Sequence, residues 1–282
     1  MYESFFGLRE PAFSLAPDPR FLWPSETHEE GLAALVYGIT RRKGFLLLTG
    51  EVGTGKTTLL RAALDHLPTE TEVALVMNTA GLGPQDLLKL VAVELRLTGP
   101  FESKVDYLIA LNQFLLEQLR AGINTVLIID EAQNLDSQVL EEVRLLSNLE
   151  TDTEKLLQIV LTGQPELRRK LADPALRQLR QRIAIEHHVQ PLQFHEIAPY
   201  LAHRIQVAGG SYEEVFRPGA ERAFHAFSGG CPRLLSLLAD RVLLSAFAKQ
   251  VKPVPPAFVE AKAKDMIAAR SEGLGPESEE PH

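Results

Sequence analysis

A glycine-rich loop between a buried strand and a helix is the strongest constraint on how this chain folds. The run G-E-V-G-T-G-K-T at residues 50–57 fits the pattern G-x-x-x-x-G-K-[ST] in full, and it follows the apolar residues 45–49. Glycines at these positions let backbone N–H groups turn toward an anion, and the start of the following helix adds the positive end of its dipole. The pattern predicts a phosphate-binding loop of the Walker A type.

Strand and helix patterns alternate around this loop. Apolar runs with few polar interruptions predict five strands, at residues 45–49, 73–77, 125–129, 157–162 and 183–188. Continuous apolar strands separated by helical segments indicate a parallel sheet that is covered on both faces. The sequence therefore predicts an α/β P-loop NTPase domain with three layers and a parallel five-stranded sheet.

Changes in composition predict four regions. Residues 1–24 combine prolines with aromatic residues, which favours an ordered arm lying across a domain surface over a long helix or a disordered tail. Residues 25–190 form the α/β ATPase domain. Residues 191–270 have helical periodicity without a strand candidate, which predicts a small all-helical lid domain. Residues 271–282 are predicted to be a disordered acidic tail.

Charge, cysteine content and hydropathy exclude several classes of protein. The formal net charge of −8 argues against a generally basic coat for nucleic acid, although a local basic patch would be compatible with it. The single cysteine, Cys231, rules out an intramolecular disulfide and fits a reducing compartment. Neither a signal peptide nor an apolar run of about 18 residues is present. We therefore expect a cytoplasmic protein that reaches any membrane through a protein partner.

Two adjacent carboxylates follow the third predicted strand. Asp130 at the strand tip is placed to hold Mg²⁺ together with the Thr57 hydroxyl, while Lys56 reaches the β- and γ-phosphates. Glu131 can polarise a water molecule for attack on the γ-phosphate. A switch-type GTPase would not use this Glu, and the chain has no N-K-x-D match. The predicted ligands are therefore ATP and Mg²⁺, and the predicted reaction is ATP hydrolysis.

Two polar residues follow or end neighbouring strands. Asn78 follows the second strand, where it would hold Glu131 away from water, or would simply begin a turn. Thr162 ends the fourth strand, where it would hydrogen-bond the attacking water or the γ-phosphate, or serve a purely structural role. Both alternatives stay open at this point.

The motifs together resemble the ExeA, or general secretion pathway protein A-like, branch of the AAA+ ATPases, over about residues 1–268. The resemblance depends on M-Y-x-x-F-F-G-L at residues 1–8, P-D-P-R-F-L at 17–22, H-E-E-G-L at 28–32, the glycine loop, I-D-E-A-Q at 129–133, G-Q-P-E-L at 163–167, L-R-Q-L-R-Q-R-I at 176–183 and G-x-P-R at 230–233. The arm and I-D-E-A-Q are more specific than the phosphate motifs, which many unrelated ATPases share.

This resemblance implies an oligomer, a ring or filament, with ATP at its subunit interfaces. Arg182 first, and Arg177 second, would act on a neighbour's γ-phosphate, unless this basic stretch is a solvated or DNA-contacting helix face. Arg233 would reach over the phosphates from the lid, and Leu22 would lie near the adenine unless the arm is structural. The implied nucleotide-contacting residues of the loop are Gly50, Glu51, Val52, Gly53, Thr54, Gly55, Lys56, Thr57 and Thr58.

The resemblance also suggests where the energy of hydrolysis goes. The first hypothesis is an ATPase serving a secretion, pilus or polysaccharide-export machine. Secretion members add a membrane helix and a peptidoglycan-binding domain, and we expect this chain to be a short form without them. The alternatives are a DNA-binding regulator of transposition, for which residues 41–43 and 168–170 supply basic runs, and a nucleotide-binding scaffold that barely hydrolyses ATP.

Overall fold

The computed structural model describes residues 1–77 and 79–272, which divide into two compact units. One unit spans Glu26–Gln190, and the other joins Met1–Ser25 to the chain from Pro191 onward. The helices are α1 (Glu3–Phe6), α2 (Glu26–Thr40), α3 (Lys56–Asp65), α4 (Pro84–Glu94), α5 (Lys104–Arg120), α6 (Ser137–Leu146), α7 (Pro165–Leu171), α8 (Arg177–Arg180), α9 (Ile197–Val207), α10 (Tyr212–Val215), α11 (Ala220–Ser228), α12 (Pro232–Ala248) and α13 (Pro256–Glu272).

A five-stranded parallel sheet forms the centre of the first unit, as predicted. Its strands are β1 (Phe45–Gly50), β2 (Thr71–Val76), β3 (Asn124–Ile129), β4 (Leu157–Gly163) and β5 (Ile183–Val189). Their spatial order is β2-β3-β4-β1-β5, and every neighbouring pair is parallel. β1, β3 and β4 are buried along their whole length, which explains their uninterrupted apolar sequences.

Helices pack on both faces of this sheet, which gives the predicted three layers. Leucines 87 and 88 of α4, with Leu111 and Leu115 of α5, join one core cluster that contains Ile129 and Leu161 of the sheet. On the sheet's other side α2 packs against α3 and β5. Because each buried branched side chain contributes about 1.5–3 kcal/mol, these two apolar layers dominate the stability of the unit.

The second unit consists of the N-terminal segment Met1–Ser25 and helices α9 to α13, and it has a core of its own. Phe6, Phe13 and Phe21 of that segment are at most 5% exposed and pack among residues of α9, α11 and α12. Arg204 on α9 fixes the segment further, since it donates to the carbonyls of Ala12 and Ser14 at 2.8 and 2.9 Å. The rings of this segment lie inside a core and not across a surface, because burying three phenyl rings is worth several kcal/mol.

The C-terminal end of the described chain is helical. α13 continues to Glu272, and the rest of the predicted acidic tail lies outside the described residues, as does Asn78. Within residues 1–77 and 79–272, no helix has both the length and the apolarity that a membrane crossing requires.

Candidate functional site

The carboxyl ends of three parallel strands bring the candidate residues to one edge of the sheet. Leu48 of β1 is in register with Thr162 of β4, and Ile129 of β3 is in register with Leu161 of β4. The residues that follow these positions therefore emerge side by side. In open α/β sheets ligands bind at this edge, outside the carboxyl ends of the strands.

The loop after β1 has the backbone shape of an anion-binding site. Gly53 and Gly55 have φ angles of +84° and +99°, a left-handed conformation that side chains disfavour. Gly50 is needed for a different reason, because a Cβ there would lie 2.7 Å from the Val189 carbonyl oxygen. Helix α3 begins at Lys56 with glycine as its N-cap, so no N-cap side chain occupies its first amides. These amides are available to phosphate oxygens.

A buried histidine of α2 contacts the backbone of the loop. His28 on α2 is 3% exposed, and its Nε2 lies 2.9 Å from the carbonyl oxygen of Thr54. A carbonyl can only accept, so Nε2 must carry the proton. Because the N–H of a trans peptide points away from its C=O, this bond turns the Gly55 amide away from His28. His28 lies in the H-E-E-G-L motif, and its sequence context predicts no role for it.

Lys56 and Asp130 are the buried charged residues of the site. The Lys56 side chain is buried, and its Nζ donates to the carbonyls of Gly50 and Glu51 at 2.8 and 3.0 Å. Asp130 is 4% exposed and accepts from Thr57 Oγ1 at 3.2 Å through one oxygen. Its other oxygen accepts from Thr162 Oγ1 and from the Glu131 amide. Asp130 thus joins the loop to the tip of β4.

Glu131 follows Asp130 and has a left-handed backbone conformation. Its φ of 52° and ψ of 38° are left-handed, which is costly for a residue with a side chain. Thr79 donates to the carbonyl oxygen of Glu131 at 2.7 Å and to that of Asp130 at 3.3 Å. Asn78, the residue predicted for this place, lies outside the described residues, and the sequence pattern did not reveal the role of its neighbour Thr79.

Two histidines of β5 contact threonines of β1 and α2. His188 Nδ1 lies 2.9 Å from Thr49 Oγ1, and His187 Nε2 lies 2.7 Å from the Thr27 carbonyl oxygen. Burial lowers the pKa of His188, and the nearby Arg168 guanidinium adds to that effect. The first contact joins β5 to β1, and the second joins β5 to α2.

The remaining predicted residues belong to other elements of the chain. Arg182 NH1 donates to Ser147 Oγ at 3.1 Å, and Arg177 is exposed on α8. Arg233 and Leu22 belong to the other unit. Arg233 is exposed in the first turn of α12, and Leu22 is half-buried after the turn Pro19–Phe21. Of the predicted set, the described contacts bring together Lys56, Thr57, Asp130, Glu131 and Thr162 with the glycine loop.

Comparisons with known proteins place the chain near known ATPases. The family described as AAA domain matches residues 39–171. General secretion pathway protein A of Aeromonas hydrophila is 46% identical over 274 residues, which are 97% of this chain and 50% of that protein. The chain therefore spans about half the length of this curated relative.

Solved structures share the fold at low sequence identity. The ORC2 protein of Aeropyrum pernix, in ADPNP-ADP complexes, has a TM-score of 0.65 and 15% identity over 91% of this chain and 71% of its own. The RuvB Holliday junction branch migration motor of Thermotoga maritima has a TM-score of 0.56 and 18% identity over 84% of this chain and 68% of its own. These likenesses extend to the fold alone, and with the AAA domain match they confirm the predicted P-loop α/β fold with a helical region after it.

Proposed function

This chain is an AAA ATPase related to general secretion pathway protein A, and from that premise we propose that it hydrolyses MgATP at the subunit interfaces of an oligomer. Hydrolysis there drives or switches the assembly of a secretion, pilus or polysaccharide-export machine. One observation carries the proposal. Asp130 accepts from Thr57 on the phosphate loop and from Thr162 on β4, directly beside Glu131.

The phosphates of ATP occupy the glycine loop in this proposal. The amides of Gly53, Gly55 and Lys56 donate to phosphate oxygens, and the dipole of α3 favours the negative charge. Lys56 now donates to the carbonyls of Gly50 and Glu51, and it exchanges these for β- and γ-phosphate oxygens when ATP binds. The same buried ammonium thus stabilises the loop before binding and the ligand afterwards.

The residues present suit a magnesium ion. Thr57 Oγ1 and Asp130 Oδ2, which lie 3.2 Å apart, are hard oxygen ligands for a metal ion. In the described part of the chain no cluster of three or more His, Cys, Asp or Glu residues forms a complete metal cage. Mg²⁺ is usually bound by one or two protein groups plus substrate phosphates and water, so this sparse set fits it. When bound, the ion offsets the charge that develops on the phosphate oxygens.

Glu131 and Thr162 act on the attacking water. Glu131 accepts its proton as it attacks the γ-phosphorus in line with the leaving ADP oxygen. Thr162, buried at the tip of β4, orients the water or the γ-phosphate through its hydroxyl. Lys56 neutralises charge as the bond to the leaving oxygen breaks. The proposal also includes a contact of Arg233 with the phosphates and a place for Leu22 near the adenine.

Arg182 completes a neighbouring site in the oligomer, with Arg177 as the alternative donor. Its guanidinium is held by Ser147 in the single chain, and a bidentate fork of this kind suits a γ-phosphate supplied by another subunit. We expect Arg182→Ala to bind ATP normally and to lose about 10²-fold or more in turnover.

A mixing experiment tests whether this arginine acts in trans. Arg182→Ala subunits keep an intact phosphate loop, and Lys56→Ala subunits keep the arginine. Mixtures should therefore regain part of the ATPase rate, with a maximum at an intermediate ratio, while Arg120→Ala, an exposed change on α5, should match the wild type. Purely additive rates at every ratio would contradict action in trans.

The relationship to general secretion pathway protein A supports an export machine as the client. Three side chains of the basic runs that raise the alternative of DNA are engaged within the chain. Lys170 Nζ donates to two carbonyls at 2.6 Å, and Arg168 pairs with Glu186 at 2.7 Å. In the other run Arg42 donates to the Ile123 carbonyl at 3.3 Å. These contacts turn Arg42 and Lys170 toward protein carbonyls and pair Arg168 with a carboxylate, so these three side chains are less available to a phosphate backbone.

Fluorescence anisotropy with duplex DNA and ATP, across a salt series, separates the two clients. The export proposal predicts no binding at low salt. Tight binding that weakens steeply with salt would contradict it and favour the regulator of transposition, because phosphate contacts release counterions.

A further inference from the structure

Two glutamine amides converge on the carboxylate of Glu131. Gln133 lies in the short turn after β3, and Gln164 lies directly after β4. Both side-chain nitrogens donate to the same oxygen, Glu131 Oε2, and the bond from Gln164 is 3.3 Å long. One oxygen of the acid is therefore engaged from two different strand ends.

The orientation of the Gln133 amide is determined by a backbone group. Its Oε1 accepts from the backbone N–H of Gln164 at 3.1 Å. A backbone N–H can only donate, so this end of the side chain must be the oxygen and the other end must be the nitrogen. Gln133 thus presents its donor to Glu131, and its reversed orientation would set two donors against each other at Gln164.

Neighbouring residues hold Gln133 in this place. Lys170 Nζ donates to the carbonyls of Gln133 and Leu135, both at 2.6 Å, which anchors the turn. A Cβ at Gly163 would lie 2.7 Å from Gln133 Oε1, so only glycine leaves room for the amide at the tip of β4. The side chain is therefore a fixed bridge between β4 and the acid.

Glu131 itself needs such a bridge. Its left-handed backbone stores strain, and its carboxylate stands at the end of three rotatable bonds. A general base must remain within hydrogen-bond reach of the water it deprotonates. Hydrogen bonds from two oriented amides reduce the number of positions that the carboxylate samples.

We propose that Gln133, assisted by Gln164, is a positioning residue for the general base Glu131. The pair holds Oε2 so that Oε1 accepts the proton of the attacking water, and it connects the base to the strand that carries Thr162. This inference rests on the proposed hydrolysis at this site. It adds residues that act through Glu131 and do not touch ATP.

The test variant is Gln133→Met, which keeps the length and volume of the side chain and removes its hydrogen bonds. We expect kcat to fall about tenfold while KM for ATP changes less than twofold, since a hydrogen bond to a charged group has about this effect. Gln138→Met, an exposed change on α6, is the matched control and should behave as the wild type. Gln164→Met should lower kcat by about two- to threefold, because its bond is longer and the bridge through Gln133 remains.

A second background separates positioning from general loosening of the fold. In Glu131→Gln, the residual single-turnover rate should be unchanged when Gln133→Met is added, because the base through which Gln133 acts is already gone. A similar loss in both backgrounds would mean a purely structural role and would overturn the inference. An unchanged kcat in Gln133→Met and Gln164→Met would also overturn it, with the hydrolytic function intact. Failure of the wild type to hydrolyse ATP would remove both proposals together.

Discussion

Replacing Glu131 by Gln should leave MgATP binding intact and lower hydrolysis by about 10²–10³-fold. An amide cannot take the proton of the attacking water at neutral pH. Its oxygen can still accept from Gln133 and Gln164, and the Asp130 bonds to Thr57 and Thr162 do not involve the Glu131 side chain. The variant should therefore keep the geometry of the site and accumulate as an ATP-bound oligomer. Single-turnover phosphate release and size-exclusion chromatography with ATP measure the two effects.

The matched control for this variant is Glu117→Gln, an exposed change on α5 that alters charge equally. It should hydrolyse ATP at the wild-type rate. If Glu131→Gln kept more than about a third of that rate, Glu131 would not be the general base.

Lys56→Ala should lose nucleotide binding, with an increase in the Kd for ATP of about 10²–10⁴-fold. Two charge-assisted hydrogen bonds to phosphate, at about 1.5–3 kcal/mol each, account for this magnitude. The change also removes the bonds from Nζ to the carbonyls of Gly50 and Glu51, so the loop loses its internal support. Titration with a fluorescent ATP analogue measures the Kd, and circular dichroism monitors the fold.

Two further variants separate charge from packing at this position. Lys56→Met keeps the aliphatic stem of the buried side chain and should bind ATP as poorly as Lys56→Ala. Lys89→Ala removes an exposed lysine from α4 and should bind as the wild type. Wild-type affinity in Lys56→Met would show that the ammonium does not contact the phosphates.

The sheet was predictable because burial on both faces leaves an uninterrupted apolar signal in β1, β3 and β4. For the edge strand β2 the predicted bounds, 73–77, begin two residues late and end one residue late, because the strand spans Thr71–Val76. Its first residues, Thr71 and Glu72, pair with Asn124 and Thr125 through the backbone ladder. Such pairing is independent of side-chain polarity, so hydropathy cannot reveal it.

The candidate site was predictable only where a local motif encodes it. Lys56, Thr57, Asp130 and Glu131 occupy fixed positions relative to a strand end, so their sequence context indicates their chemistry. The contact between His28 and Thr54 spans 26 residues, and that between Thr79 and Glu131 spans 52. No periodicity marks such residues, and only the folded register brings them together.

The N-terminal segment illustrates a third limit. Its aromatic residues indicate order, because a chain so rich in phenylalanine gains from burial. Their position in the core of the helical unit depends on contacts such as those of Arg204 with Ala12 and Ser14, about 190 residues away. The sequence contains both partners but does not indicate that they meet.

The central claim is that the glycine loop, Asp130 and Glu131 form one magnesium-dependent site for ATP hydrolysis. Steady-state phosphate release by the purified chain, at protein concentrations that span its assembly, tests it most directly. We predict turnover that saturates with ATP, requires Mg²⁺, is lost on adding EDTA and is absent from Lys56→Ala. Phosphate release no faster than that of Lys56→Ala, at every protein concentration and with Mg²⁺ present, would contradict it.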